Sequence, residues 1–170
     1  STGSTCLGSL SSFTDLSTGI TSSWQWNFDD GSPTSILQNP THTYTAVGTY
    51  NVELIAMAGN GCSDTITLPV TVTPIPTADF SFLNVCAEDE TFFTDLSLGT
   101  PDTWSWNFGD GNTDNTNNPN PIHTYASSGT FNVTLTAGYS ASGCTHSITQ
   151  AVTAFPRTNP TFTTNTPCLG

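Results

Sequence analysis

The sequence contains no lysine and a single arginine, Arg157, against thirteen acidic side chains, for a net charge of −12. Nucleic acids are held through Lys and Arg contacts to phosphate, so that class of partner is excluded. Anionic membrane surfaces are excluded on the same ground. No apolar run is long enough to cross a membrane, and no stretch reads as a signal peptide. The one methionine is Met57, and no initiator is present, so the chain is expected to be a mature or excised piece of something longer. Disorder is excluded by composition, because aromatic and β-branched residues are spread throughout. The acidic excess favours solubility, self-repulsion and attraction of cations.

What is present points to β-structure. Thr, Val, Ile, Phe, Tyr and Trp come in short runs broken by Gly, Pro and Asn. The 170 residues allow one large domain or two small ones, and self-comparison decides for two. "SSWQWNFDDGS" (22–32) returns as "DTWSWNFGDGN" (102–112), and "PTHTYTAVGTYNVEL" (40–54) as "PIHTYASSGTFNVTL" (121–135). "FTDLSTG" (13–19) returns as "FTDLSLG" (93–99). Trp26 recurs as Trp106, Tyr44 as Tyr125 and Cys62 as Cys144, so the offset grows from 80 to 82 residues through small loop insertions. Module one covers 1–73 and module two 74–155, joined by "TPIP" (73–76). Module two opens on "TADFSF" (77–82), an alternating first strand that module one lacks. Residues 156–170 read as the opening strand of a third module, ending on the "CLG" that also occurs at 6–8.

The repeat frame orders the five cysteines. Cys6 matches Cys86, Cys62 matches Cys144, and Cys168 begins the next series. The expected pairing is Cys6 with Cys62 and Cys86 with Cys144, leaving Cys168 for a following module. Such bridges imply an oxidising, extracellular setting. Buried free thiols are the competing interpretation. A zinc site is disfavoured because no C-x-x-C spacing occurs.

Within module two, strands are expected near 77–82, 90–96, 103–109, 121–125, 130–138 and 145–153, spaced as in a β-sandwich. Trp104, Trp106 and Phe108 share one face of their strand, as do Phe131, Val133, Leu135 and Ala137 of theirs. Trp26, Phe28 and Tyr44, with their repeats Trp106, Phe108 and Tyr125, form the expected core. The combination of W-x-F-x-D-G, H-T-Y and G-T-[YF]-x-V-x-L, present in both modules, resembles the PKD domain, the immunoglobulin-like repeat named for the polycystic kidney disease protein. Asp29 departs from the glycine usual there and is expected to alter one turn but not the fold. The resemblance implies an all-β chain of two tandem immunoglobulin-like sandwiches. It also implies extracellular work: spacing, adhesion, contact with protein or polysaccharide, and mechanical extension. The paired cysteines resemble those of secreted bacterial surface proteins.

No constellation reads as catalytic. Asp110, Asn112 and Asp114 have the spacing of a calcium loop, but the twelfth position, a bidentate Glu in an EF-hand, is Pro121. Module one keeps only Asp30-Gly31 of that ladder, and Asp-Gly between strands is a hairpin signal. A structural turn is therefore favoured over calcium, with module two alone, or Asp79, Glu88, Asp89 and Glu90, as the calcium alternative. His42 and His123 are expected to pack beside Tyr44 and Tyr125 rather than act as bases. His146 is expected on an exposed strand. Asp15 and Asp95 stand one per module and read as turn caps, not as a glycosidase pair. Trp24 and Trp104 are the tryptophans to test for sugar stacking, and Asn132-Val133-Thr134 is a formal glycosylation sequon. No cofactor is expected.

These readings predict a non-enzymatic structural segment of a long extracellular repeat protein, forming a surface filament or adhesin stalk. Its partners would be further copies of the module, in one chain or in neighbouring subunits joined by strand addition. The alternative is a non-catalytic accessory module of a secreted hydrolase, binding polysaccharide or a cell-surface protein.

Overall fold

The structure, a computed structural model, describes residues 3–163. Among them are thirteen strands and no helix. Module one supplies β1 (Gly3–Cys6), β2 (Leu10–Ser12), β3 (Ser23–Asn27), β4 (Thr41–Thr43), β5 (Gly48–Met57) and β6 (Ser63–Thr73). Module two supplies β7 (Phe80–Phe82), β8 (Glu90–Asp95), β9 (Thr103–Asn107), β10 (Thr113–Asp114), β11 (Ile122–Thr124), β12 (Gly129–Gly138) and β13 (Thr145–Ala154). The fold is all-β, two tandem sandwiches of immunoglobulin type.

Each sandwich has a larger and a smaller sheet. In module one they are β1-β6-β5-β3 and β2-β4; in module two they are β10-β9-β12-β13 and β11-β8-β7. Period-two alternation builds the facing layers. On β5, Val52 and Leu54 are buried while Asn51 faces water; on β12, Val133, Leu135 and Ala137 are buried. The six expected core aromatics are all buried, with Tyr44 at 0% and Trp106 at 1% exposure. Phe13, Trp24, Tyr50 and Val70 pack around the module-one core while remaining partly exposed.

The chain divides into two compact units whose borders differ from the repeat borders. Unit 1 holds residues 1–77 together with Gly99–Asp102 and Ala137–His146; unit 2 holds Ala78–Leu98, Thr103–Thr136 and the remainder from Ser147. The tip of the β12–β13 hairpin is thus clustered with module one.

One expectation needs correction. The cysteine pairing is Cys6 with Cys144, at a Cα–Cα distance of 5.6 Å, and Cys62 and Cys86 are free. The reason is strand direction. β1 runs parallel to β6 with Cys6 opposite Thr73, the last residue of β6, whereas Cys62 precedes its first. At about 3.3 Å per residue those positions lie on the order of 35 Å apart, far beyond the roughly 7 Å limit for a bridge. The same holds in module two, where Cys86 bridges in parallel to Phe155 and Cys144 precedes β13. Cys168 lies outside the described residues. Residues 156–163 carry no strand, and the rest of the opening strand expected over 156–170 lies outside the described residues.

Candidate functional site

The bridge sits in a built environment within unit 1. Cys144 is fully buried, and its Sγ lies 3.0 Å from Thr73 Oγ1, which also donates to the Thr5 carbonyl. The loop carrying Cys144 is tied down by its own backbone: Gly143 N donates to Tyr139 O, and Tyr139 N to Cys144 O. Tyr139 Oη donates to Gly99 O at 2.6 Å, and Ser140 gives both its N–H and its hydroxyl to Asp102 at 2.7 Å. These two bonds hold the Asp102 carboxyl below the usual carboxylate range. Gly99 is required here. Its φ is +93°, and a Cβ would stand 2.6 Å from Tyr139 Oη.

Each module also carries a His–Asp pair that spacing alone did not suggest. His42 Nε2 lies 2.7 Å from Asp30 Oδ2, and His123 Nε2 lies 2.8 Å from Asp110 Oδ2. Each imidazole stacks on the preceding phenylalanine (Phe28 or Phe108) at 4.1 Å and meets the edge of Tyr44 or Tyr125. Burial works against the Asp30 and Asp110 charges, but hydrogen bonds from Ser32 and His42, and from Asn112 and His123, outweigh it and hold both carboxyls low. Burial pushes the Tyr44 phenol up to about 12, and its hydroxyl has no hydrogen-bond partner among the described residues. Burial raises Tyr125 as well, and there the hydroxyl donates to Phe108 O. Among the described residues no Ser, Thr or Cys is hydrogen-bonded to either imidazole, so the pairs clamp the D-G turn to the H-T-Y strand.

The remaining candidates resolve into similar clamps. Asp15 Oδ1 accepts the Ser17 N–H and Asp95 Oδ1 the Ser97 N–H. Their Oδ2 atoms accept from Trp24 Nε1 at 2.7 Å and Trp104 Nε1 at 2.9 Å. The two carboxylates therefore anchor the two tryptophans, and both indoles are half-buried rather than laid open as a sugar platform. Asp110 Oδ1 accepts the Asn112 N–H, and Asp114 Oδ1 accepts the Thr116 N–H, each an Asx turn. No cluster of three or more His, Cys, Asp or Glu suited to a metal occurs among the described residues. Of the junction acids, Glu88 and Asp89 pair with Arg157, and Asp79 accepts from Gln150. His146 is half-buried on β13 and Asn132 exposed on β12.

Position 29 shows how a departure from the repeat is absorbed. Asp29 adopts φ +62° and Gly109 φ +79°. A Cβ on Gly109 would lie 2.6 Å from the Asn132 backbone oxygen. Asp29 instead sends its carboxylate to the Asn51 N–H, the residue equivalent to Asn132, at 2.9 Å.

A groove of about 890 Å³ in unit 1 was not foreseen from the sequence. Phe13, Trp26, Leu54, Ile66 and Leu68 line it, as does the exposed Cys62. It lies where module two has β7. Phe80 there covers Trp106 at 5.1 Å and Phe93 at 6.1 Å, while among the described residues β2 pairs with β4 alone.

Comparison with known proteins agrees with this architecture. Family models described as PKD domain match residues 8–73 and 77–152. The chain is similar to the fibronectin(III)-like modules of Clostridium thermocellum CbhA, at 16% identity and a TM-score of 0.52, over 92% of this chain and 90% of that one. It is also similar to the PKD1 domain of the Vibrio cholerae metalloprotease PrtV, at 24% identity and a TM-score of 0.41, over 48% and 98% of the two chains. A structure of carbohydrate-binding modules from the β-sandwich superfamily matches at 26% identity and a TM-score of 0.46, over 49% of this chain and 36% of that one. This chain thus spans about a third of the length of that relative. Two matched models, repeated motifs and a sandwich for each repeat lead to one conclusion: the chain belongs to the PKD domain family, as two PKD domains in tandem.

Proposed function

We propose that this chain is a structural segment of a long extracellular repeat protein, serving as part of a surface filament or adhesin stalk. The observation that carries the reading is the Cys6–Cys144 bridge, which closes 138 residues and links the first strand of one PKD domain to a hairpin of the next. A bond so placed resists extension of everything between its ends. The short Pro-containing linker limits bending, and the absence of lysine removes most sites for trypsin-like cleavage. Clamped Asp, His and Trp side chains in both modules support a role in rigidity. Electron microscopy of native material is expected to show threads with a regular axial repeat; compact isolated particles would overturn the proposal.

The second reading is an accessory module that binds polysaccharide or protein beside a secreted hydrolase. The groove over Phe13 and Trp26 is the feature that favours it. Saturable binding of a polysaccharide by the isolated chain, lost on Trp26→Ala but kept in a surface control, would establish it.

A further inference from the structure

The two sulfurs of the Cys6–Cys144 bridge differ in access. Cys144 is 0% exposed, whereas Cys6, at the end of β1, is half-buried. Cys86, the repeat equivalent of Cys6, is half-buried as well, so the exposure belongs to this position of the repeat. Thiol–disulfide exchange needs a thiolate to reach one sulfur while the other leaves. Burial closes the approach to Cys144. Cys6 is therefore the sulfur attacked and Cys144 the one that departs.

A buried thiolate is disfavoured unless a donor reaches it. Thr73 supplies that donor. Its Oγ1 stands 3.0 Å from Cys144 Sγ and donates to the Thr5 carbonyl at 3.2 Å. The hydroxyl carries one hydrogen, and rotation about its C–O bond turns that hydrogen from the carbonyl to the sulfur as charge develops there. The donor goes with the bond: Thr73 stands opposite the bridged Cys6, whereas Phe155 stands opposite the free Cys86. Both bridge residues are also held by contacts other than the bridge. Leu7 N donates to Thr73 O beside Cys6, and Tyr139 N donates to Cys144 O. Tyr139 is itself tied to Gly99 O. The two sulfurs thus remain near one another when the bond between them opens.

We propose that Cys6 is the single entry point for small thiols, and that Cys144, assisted by Thr73, is a built-in resolving thiol that recloses the bridge. The thiolate of a small monothiol forms a bond to Cys6 Sγ. The Cys6–Cys144 bond breaks, and its electron pair leaves on Cys144 Sγ, where the Thr73 hydroxyl donates to it. Held in place, the Cys144 thiolate attacks Cys6 Sγ in turn and expels the monothiol as its thiolate. Bridge and thiol are both restored, with no net oxidation. A dithiol escapes this reversal. Its second thiolate attacks its own sulfur in the mixed disulfide, releases Cys6 as a thiolate and closes a cyclic disulfide. Two electrons pass from the dithiol to the bridge, and the two cysteines take up protons from water. The bridge therefore withstands monothiols and yields to dithiols.

The test uses the oxidised 170-residue chain carrying Cys62→Ser, Cys86→Ser and Cys168→Ser, which leaves Cys6 and Cys144 as its cysteines. It is mixed with 2-mercaptoethanol or dithiothreitol, quenched in acid and mapped by peptic digestion and mass spectrometry. With 2-mercaptoethanol the expected result is an adduct on Cys6, with Cys144 as the thiol, that reaches a small constant fraction. Dithiothreitol at the same thiol concentration is expected to reduce the bridge fully. Thr73→Val is expected to slow that reduction by about tenfold or more, the effect of losing a hydrogen bond to a charged sulfur, and Thr73→Ser to keep the parent rate. A loosened fold would speed reduction, so slowing distinguishes a lost donor from structural damage. An adduct on Cys144, an adduct shared evenly, or none on either cysteine would overturn the proposal. So would full reduction by 2-mercaptoethanol, or a Thr73→Val chain reduced as fast as its parent or faster.

Discussion

At the scale of single residues, the same task is solved differently in the two modules. Gly109 must lack a side chain because the Asn132 backbone occupies its Cβ position, while Asp29 occupies the same turn and bonds Asn51. Gly109→Ala is expected to cost about 2 kcal/mol or more, whereas Asp29→Gly, which trades a hydrogen bond for relief of positive φ, is expected to change stability by less than about 1 kcal/mol. Urea denaturation of the two variants checks this. The Asp30 and Asp110 carboxyls lie below their ordinary value, so the stability they add is present above the unfolded carboxyl pKa of about 3.9 and is lost as pH falls through the lower folded values. Asp30→Asn with Asp110→Asn is expected to lower stability near neutral pH by about 1 kcal/mol per site and to flatten this acid dependence, read from denaturation midpoints between about pH 7 and pH 3. Because the Asp110 and Asp114 oxygens are engaged in Asx turns, millimolar calcium is expected to leave the melting temperature unchanged. A calcium-dependent rise abolished by Asp114→Ala would contradict that account.

At the scale of elements, the open edge separates the modules. In module two, the Leu96 N–H donates to Asp79 O, a bond that continues the β7–β8 ladder. Leu16, the equivalent residue, is 85% exposed. Amides of residues 14–16 are therefore expected to exchange with solvent faster than those of 94–96 in the monomer, as read by hydrogen-exchange mass spectrometry. Strands and core were legible in the sequence, because alternation at Trp104-Ser105-Trp106 and Phe131-Asn132-Val133 reports directly which side faces the core. The His42–Asp30 pair was present in two quoted motifs, yet their meeting depends on how the D-G turn folds over the H-T-Y strand. The cysteine pairing was hidden for a sharper reason. Periodicity says which residues are equivalent but not which way β1 runs along β6, and parallel pairing sends Cys6 to the end away from Cys62. The two-residue β10 and the parallel β1 carry too few residues to leave a period in the sequence.

At the scale of the whole molecule, the bridge sets what the chain does under load. A closed loop of 138 residues restricts the unfolded ensemble by about 5 kcal/mol on the chain-entropy view, so Cys6→Ser or Cys144→Ser is expected to lower unfolding free energy by several kcal/mol in oxidising buffer and by nothing in reducing buffer. The mechanical consequence is larger, because force applied at the two ends bypasses everything from Cys6 to Cys144. Single-molecule extension of the oxidised chain, pulled from its ends before and after reduction, measures this directly. The account predicts that reduction releases the 138 bridged residues, up to about 50 nm of added contour length that the oxidised chain does not yield. Full extension of both domains in the oxidised chain would contradict it.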